Sequence, residues 1–149
     1  MNEDIPKLIT INHDDYHAEY VGQTTDRRQF FLTTPFVPKM GNNAGREFIT
    51  LYLFDLDGNF LEAKIDDSGI REEMDEEIRS SLFQTRLAEL GEVSYETIVI
   101  APFRVEEFNI EFGLIAHEPE EEDEEWHITV EPGNFMAFSP PWDDGEYDT

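Results

Sequence analysis

The chain has no cysteine among its 149 residues, which excludes disulfides, thiolate metal sites and a cysteine nucleophile. Lysine is almost as scarce: Lys7, Lys39 and Lys64 are the only three. No apolar run approaches the roughly 20 residues that a membrane-spanning helix needs. The opening Met1-Asn2-Glu3-Asp4 offers neither the basic region nor the apolar stretch of a secretory signal, so the expected location is cytoplasmic. Gly-x-Ser-x-Gly, His-Glu-x-x-His and the dinucleotide glycine fingerprint are all missing, as are internal repeats. Beyond Arg104 there is no Lys or Arg at all.

What the chain has instead is acid. It carries 35 Asp and Glu against 10 Lys and Arg, a net charge of −25. The 45 positions after Arg104 hold 15 of those acids, which predicts negative potential concentrated in the last third of the molecule. Such a surface repels nucleic acid and anionic membranes and attracts a basic protein partner. Charges within a Debye length of about 8 Å act together on an approaching molecule. The apolar fraction is ordinary at 39%, so the chain folds despite its charge. A chain of this length is expected to form a single domain over residues 1–149, burying about 68–70% of its unfolded surface.

The stretch 46–90 organises the rest. Phe48-Ile49-Thr50-Leu51-Tyr52-Leu53-Phe54 is apolar on both faces, as in a strand covered on two sides. Residues 59–66 alternate, with Leu61, Ala63 and Ile65 on one face and Glu62, Lys64 and Asp66 on the other. Asp55-Leu56-Asp57-Gly58 between them is a hairpin signal. A three-residue turn with Gly58 in the left-handed conformation aligns Ile49, Leu51 and Leu53 with Leu61, Ala63 and Ile65; a two-residue turn aligns them with the charged face. The hydrophobic pattern selects the first. Asp55, Asp57 and Asn59 resemble the start of a helix–loop–helix calcium loop, but such a loop needs glycine at its sixth position and Glu at its twelfth. Here glycine stands fourth and Asp66 twelfth, so turn chemistry is the expected role and no metal is assigned.

After Asp66-Asp67-Ser68-Gly69 the period becomes helical. Ile70, Met74, Ile78, Leu82, Leu87 and Leu90 fall on one stripe, Gly91 follows as a stop, and Asp67 or Ser68 is the expected cap. One principal amphipathic helix over residues 69–90 therefore packs on a sheet, with Glu72, Glu73, Asp75, Glu76 and Glu77 meeting its positive end.

The remaining segments read as strands. Residues 7–12 form a short first strand; 16–22 and 28–33 form a hairpin around Thr24-Thr25-Asp26. Residues 33–45, rich in Pro, Gly and Asn, are the longest structureless connection; without a following Gly-Lys-Ser or helix they do not form a phosphate loop. Residues 93–101 form one strand with Ile98-Val99-Ile100 buried from both sides, ending at Pro102. Phe108, Ile110, Phe112, Leu114 and Ala116 mark a half-buried strand, and Trp126, Ile128 and Val130 another, joined by an acidic loop at 117–125. Phe135-Met136-Ala137-Phe138 adds a short last strand, and Pro140-Pro141 stops the ladder. The fold class is α+β: a mainly antiparallel sheet of about 7–9 strands in hairpins with one principal helix.

Candidate sites follow from charge and aromatics. The loop carboxylates Glu120, Glu121, Glu122, Asp123, Glu124 and Glu125 would steer a basic partner, with Asp143 and Asp144 of the acidic, aromatic tail at 139–149. Trp126, Trp142 and Tyr147 would supply anchors, since aromatics dominate interface energies while rim charge sets on-rate. A disordered tail rarely carries Trp and Tyr, so docking of Trp142 and Tyr147 onto the domain is the favoured alternative. In size and charge the chain is similar to immunity partners of nuclease toxins and to DNA-mimic proteins, a resemblance of composition without a shared motif. It implies a non-catalytic inhibitor of a basic partner such as a nuclease toxin, with no cofactor. Two other readings compete: acidity that serves only solvation or salt adaptation, and a small enzyme using the cluster of His117, Glu118 and His127. His13 and His17 bracket Asp14-Asp15, but a histidine pair without a third ligand reads as surface histidines beside an edge strand.

Overall fold

A computed structural model of the chain describes residues 6–15, 17–37, 45–70, 75–122, 125–133, 136–139, 142 and 145–148. The fold is α+β, and mostly antiparallel strand, with one helix among the described residues. In chain order the strands are β1 (Ile9–Ile11), β2 (Val21–Thr24), β3 (Gln29–Thr33), β4 (Phe36–Val37), β5 (Arg46–Phe54) and β6 (Phe60–Ile70). After helix α1 (Glu76–Glu89) come β7 (Val93–Tyr95), β8 (Ile98–Ile100), β9 (Phe103–Glu107), β10 (Ile110–His117), β11 (His127–Glu131) and β12 (Ala137–Phe138). Twelve described strands exceed the seven to nine expected, because the 93–101 strand is divided in two and β4 and β9 were not expected.

Strand β5 is the axis. It pairs with β6 on one edge and with β3 and β4 on the other, and β2 and β7 extend the sheet beyond β3. A four-stranded sheet in the order β12-β11-β10-β9 and the short pair β1-β8 lie apart from this ladder. Alternation along β5 explains why it is apolar throughout. Phe48, Tyr52 and Phe54 join Phe31, Ile98, Ile100, Phe112, Leu114, Ile128 and Val130 in the larger core. Ile49, Leu51 and Leu53 join Phe30, Leu32 and Leu90 in a second core on the opposite side. Helix α1 covers this second core through the half-buried Leu82, Phe83 and Leu87.

The β5–β6 turn is the three-residue turn predicted: Asp55 N–H donates to the Asn59 carbonyl at 3.0 Å, and Gly58 has φ +91°. The Asp55 carboxylate accepts from the backbone N–H groups of Asp57 and Asn59, each at 2.9 Å, which is the turn chemistry expected. The face alignment inferred from it is wrong. Phe54 pairs with Phe60 but Leu53 pairs with Glu62, so Leu61 is an extra residue in a β-bulge. From there Ile49, Leu51 and Leu53 stand opposite Asp66, Lys64 and Glu62. The charged face of β6 thus lies on the helix side, where it meets cations. Arg86 binds Asp66 through two hydrogen bonds of 2.6 and 3.0 Å, and Lys64 binds Glu89 at 2.9 Å. Arg79 grips Glu47 of β5 at 2.8 Å.

The helix is shorter than predicted. Ser68, Gly69 and Ile70 stay in β6, where Gly69 and Ile70 pair with Glu47 and Arg46 and Ser68 bulges, donating its hydroxyl to the Glu47 carbonyl at 2.6 Å. Extending the ladder gives the first residues of β5 a partner on that edge, and this outweighs helical periodicity. Asp75, not Asp67 or Ser68, is the cap, accepting from the N–H groups of Glu77 and Ile78. Met74, Glu72 and Glu73 lie outside the described residues. Ile78 is 58% exposed, so the contacting stripe is Leu82, Phe83, Leu87 and Leu90. Gly91, at φ +72°, ends the helix as expected.

Two further corrections concern the other strands. The run 93–101 is two strands: β7 pairs with β2 and β8 with β1, and Val99 is 38% exposed rather than buried on both sides. Phe108 is not in a strand. It and Asn109 form a tight turn with φ of 54° and 60°, joining β9 to β10. The first strand and the antiparallel pairing of β10 with β11 appear as predicted; the β2–β3 hairpin also forms, but β2 is Val21–Thr24 rather than 16–22 and so includes Thr24 of the predicted turn. Within the predicted 33–45 connection, Phe36 and Val37 form β4, and residues 38–44 lie outside the described ones. No described helix is long and apolar enough to cross a membrane.

Candidate functional site

Six of the ten cations are committed to the fold's own carboxylates. Arg28, Arg46, Lys64, Arg79, Arg86 and Arg104 each form an ion pair with a carboxylate of the fold. The described acids beyond Arg104 do not form one patch. Two groups sit at opposite ends of β10, an eight-residue strand roughly 24 Å long. Glu106, Glu107 and Glu111 flank the β9–β10 turn, where Glu111 faces Glu106 directly across the ladder. Glu118, Glu120, Glu121, Glu122 and Glu125 occupy the β10–β11 loop, and all five are exposed. Asp123 and Glu124 of that loop, like Asp143 and Asp144, lie outside the described residues.

The aromatic anchors are divided. Trp142 and Tyr147 pack against the larger core. Tyr147 donates its hydroxyl to Asp14 at 2.6 Å and accepts from the His17 N–H at 3.1 Å. Burial, reinforced by the Asp14 carboxylate, pushes the Tyr147 phenol up to about 12. Asp148 exchanges two backbone hydrogen bonds with Ala137, and Gly145 accepts from the Asn12 N–H. Trp142, Gly145, Tyr147 and Asp148 of the tail are therefore docked, which leaves Trp126, half-buried at the foot of the loop, as the anchor nearest the loop carboxylates. The aromatic that pattern reading missed is Phe108, 53% exposed at the other acidic end. Its left-handed backbone is costly for a bulky side chain, and its ring stacks on Phe48 at 5.8 Å.

His13 and His17 do not converge. His13 stacks on Tyr95 at 5.7 Å, whereas His17 lies beside Tyr147, its pKa lowered by burial against the opposing pull of Asp14. His17 also borders a cavity of about 390 Å³ with Tyr20, Phe83, Glu76 and the Glu47-bound Arg79.

His117, Glu118 and His127 do come together. His117 ends β10 and His127 begins β11, directly opposite in the ladder, so the rings close the neck of the acidic loop. They stack with centroids 4.8 Å apart and planes 19° from parallel. With Glu118, Pro119 and Glu120 they line an open groove of about 610 Å³. His117 Nε2 is 2.7 Å from Thr129 Oγ1, and the Thr129 hydroxyl donates to the Glu131 carboxylate. A hydroxyl has one proton to give. Since Thr129 gives it to Glu131, Nε2 must be the donor, which leaves Nδ1 the acceptor nitrogen of the neutral His117 ring. Among the described residues, no three His, Asp or Glu groups already surround a common point. No family model matches the sequence, and no curated protein or solved structure is similar to it.

Proposed function

We propose that the protein is a non-catalytic, cytoplasmic binding module that captures a basic protein, in the manner of an inhibitor neutralising a cationic enzyme such as a nuclease. The observation that carries this reading is the β10–β11 loop: five exposed glutamates, without a described cation in the loop, held at the end of a rigid antiparallel pair. Acid presented on a fixed base steers diffusional encounter with a cationic surface, and Trp126 at its foot supplies apolar contact. Nucleic acid and anionic lipid are repelled by the same field.

The test uses a panel of basic nucleases and the intact chain, compared with the charge-reversed variant Glu120→Lys/Glu121→Lys/Glu122→Lys. The expected result is a 1:1 complex with one panel member, loss of its activity, and an association rate about 10-fold slower for the variant at low salt. Equal, weak binding of every basic protein, insensitive to the loop substitutions, would reduce the protein to a general polyanion and end the proposal.

A further inference from the structure

We propose that the groove at the neck of the β10–β11 loop binds one divalent transition-metal ion through the imidazoles of His117 and His127, with the carboxylate of Glu118 completing the set. Three observations converge. The two histidines occupy opposed ladder positions, so the strands hold their rings within stacking distance. The groove they line is open and also bordered by Glu118 and Glu120, so an ion has both a path in and oxygen donors.

The third observation is the hydrogen-bond chain behind His117. Metal-binding histidines characteristically donate their second ring N–H to a carboxylate or other acceptor, which fixes the tautomer and raises the basicity of the ligating nitrogen. Here Nε2–H donates to Thr129, which donates to Glu131. Thr129 and Glu131 face away from the core that Ile128 and Val130 enter, and the chain also satisfies the hydroxyl of Thr129, which is 1% exposed. Its effect is to present Nδ1 as a lone pair.

Two nitrogens and a carboxylate select zinc, copper(II), nickel or cobalt over calcium and magnesium, which prefer all-oxygen shells. Parallel rings do not aim both lone pairs at one point, so capture turns the His127 ring out of the stack about χ2.

Cobalt(II) is the probe, titrated into the intact chain in millimolar calcium to occupy non-specific carboxylate sites. One cobalt per chain should bind with visible absorption, be displaced by zinc, and shift the imidazole proton resonances of His117 and His127 alone among the four histidines. His127→Ala and His117→Ala should each weaken uptake at least 10-fold, and Thr129→Val, which cuts the chain to Glu131, roughly 10–100-fold. Because His127 lies at a strand end and half-exposed, its variant folds and keeps the test decisive if Thr129→Val does not. Absence of cobalt uptake, uptake abolished by calcium, or undiminished uptake by His127→Ala would each overturn the proposal. None of these outcomes bears on binding of a basic protein.

Discussion

The side-chain amide of Gln29 hydrogen-bonds both backbone groups of Val99: Nε2 donates to its carbonyl and Oε1 accepts from its N–H, each at 2.8 Å. Nε2 also reaches the Asp55 carbonyl at 3.0 Å. One buried side chain thus takes the place of a neighbouring strand for β8 and ties the β1–β8 pair to β3. Replacing it by leucine orphans the N–H and C=O of Val99, whereas the Asp55 carbonyl keeps its bond from the Gly58 N–H at 3.1 Å. Gln29→Leu should lower unfolding free energy by about 2–4 kcal/mol, measured by urea denaturation. A loss below about 0.5 kcal/mol would mean that water satisfies these groups equally well.

Arg86 is the staple between the helix and the charged face of β6, bidentate to Asp66 and within 2.8 Å of Glu89. Both Arg86 and Asp66 are less than a quarter exposed, so solvent screens the pair only in part. Arg86→Ala should cost about 1–2 kcal/mol and accelerate amide exchange in α1 while leaving the β10–β11 amides protected. Uniform acceleration over both regions would show that the helix is not a separable layer.

The Tyr147 phenol, raised to about 12 against an ordinary value near 10, makes stability depend on alkaline pH. Between those values the unfolded chain has released the proton and the folded one keeps it, so stability falls as pH rises. The contribution is complete below about pH 10 and is lost on passing to about pH 12. Melting temperature should therefore drop more steeply over this window in the wild type than in Tyr147→Phe, and the two slopes should coincide below it. Parallel slopes throughout would place the Tyr147 hydroxyl in water.

Phe108 holds a left-handed backbone that asparagine adopts more easily. Phe108→Asn should leave the chain at least as stable as wild type, with a gain of up to about 1 kcal/mol from the relaxed turn, offset by the lost stacking on Phe48. A loss above about 1 kcal/mol would show that the ring belongs to the core rather than to the surface.

Much of this fold was legible because short-range rules apply where neighbours along the chain are neighbours in space. The Asp55–Asn59 turn, the β2–β3 hairpin, the helix stop at Gly91 and the pairing of β10 with β11 are all of that kind. The failures arise where one residue changes the count. The bulge at Leu61 has no local signature, and only the helix on the far side shows why Lys64 and Asp66 face inward. Strand β9 was missed although Phe103 and Val105 alternate with Arg104 and Glu106, because Pro102 reads as a terminator and Phe108 as an apolar strand position. At the groove, the proximity of His117 and His127 follows from the hairpin alone. The role of Thr129 does not: its period placed it beside His127 and Glu131, but only the ladder brings that face against His117.

The extra residue at position 61 decides which surface of β6 the helix meets. Were Leu61 seated in the ladder opposite Leu53, every later residue would slip by one notch, the attractions that hold the helix down would point into oil, and aliphatic groups would point at arginines. Excising Leu61 has no such effect: Phe60 stays beside Phe54 and Glu62 beside Leu53, so the ladder closes up with each later side chain where it already stands. The molecule therefore tolerates a missing character at that site, but not the loss of its kink with the letter kept.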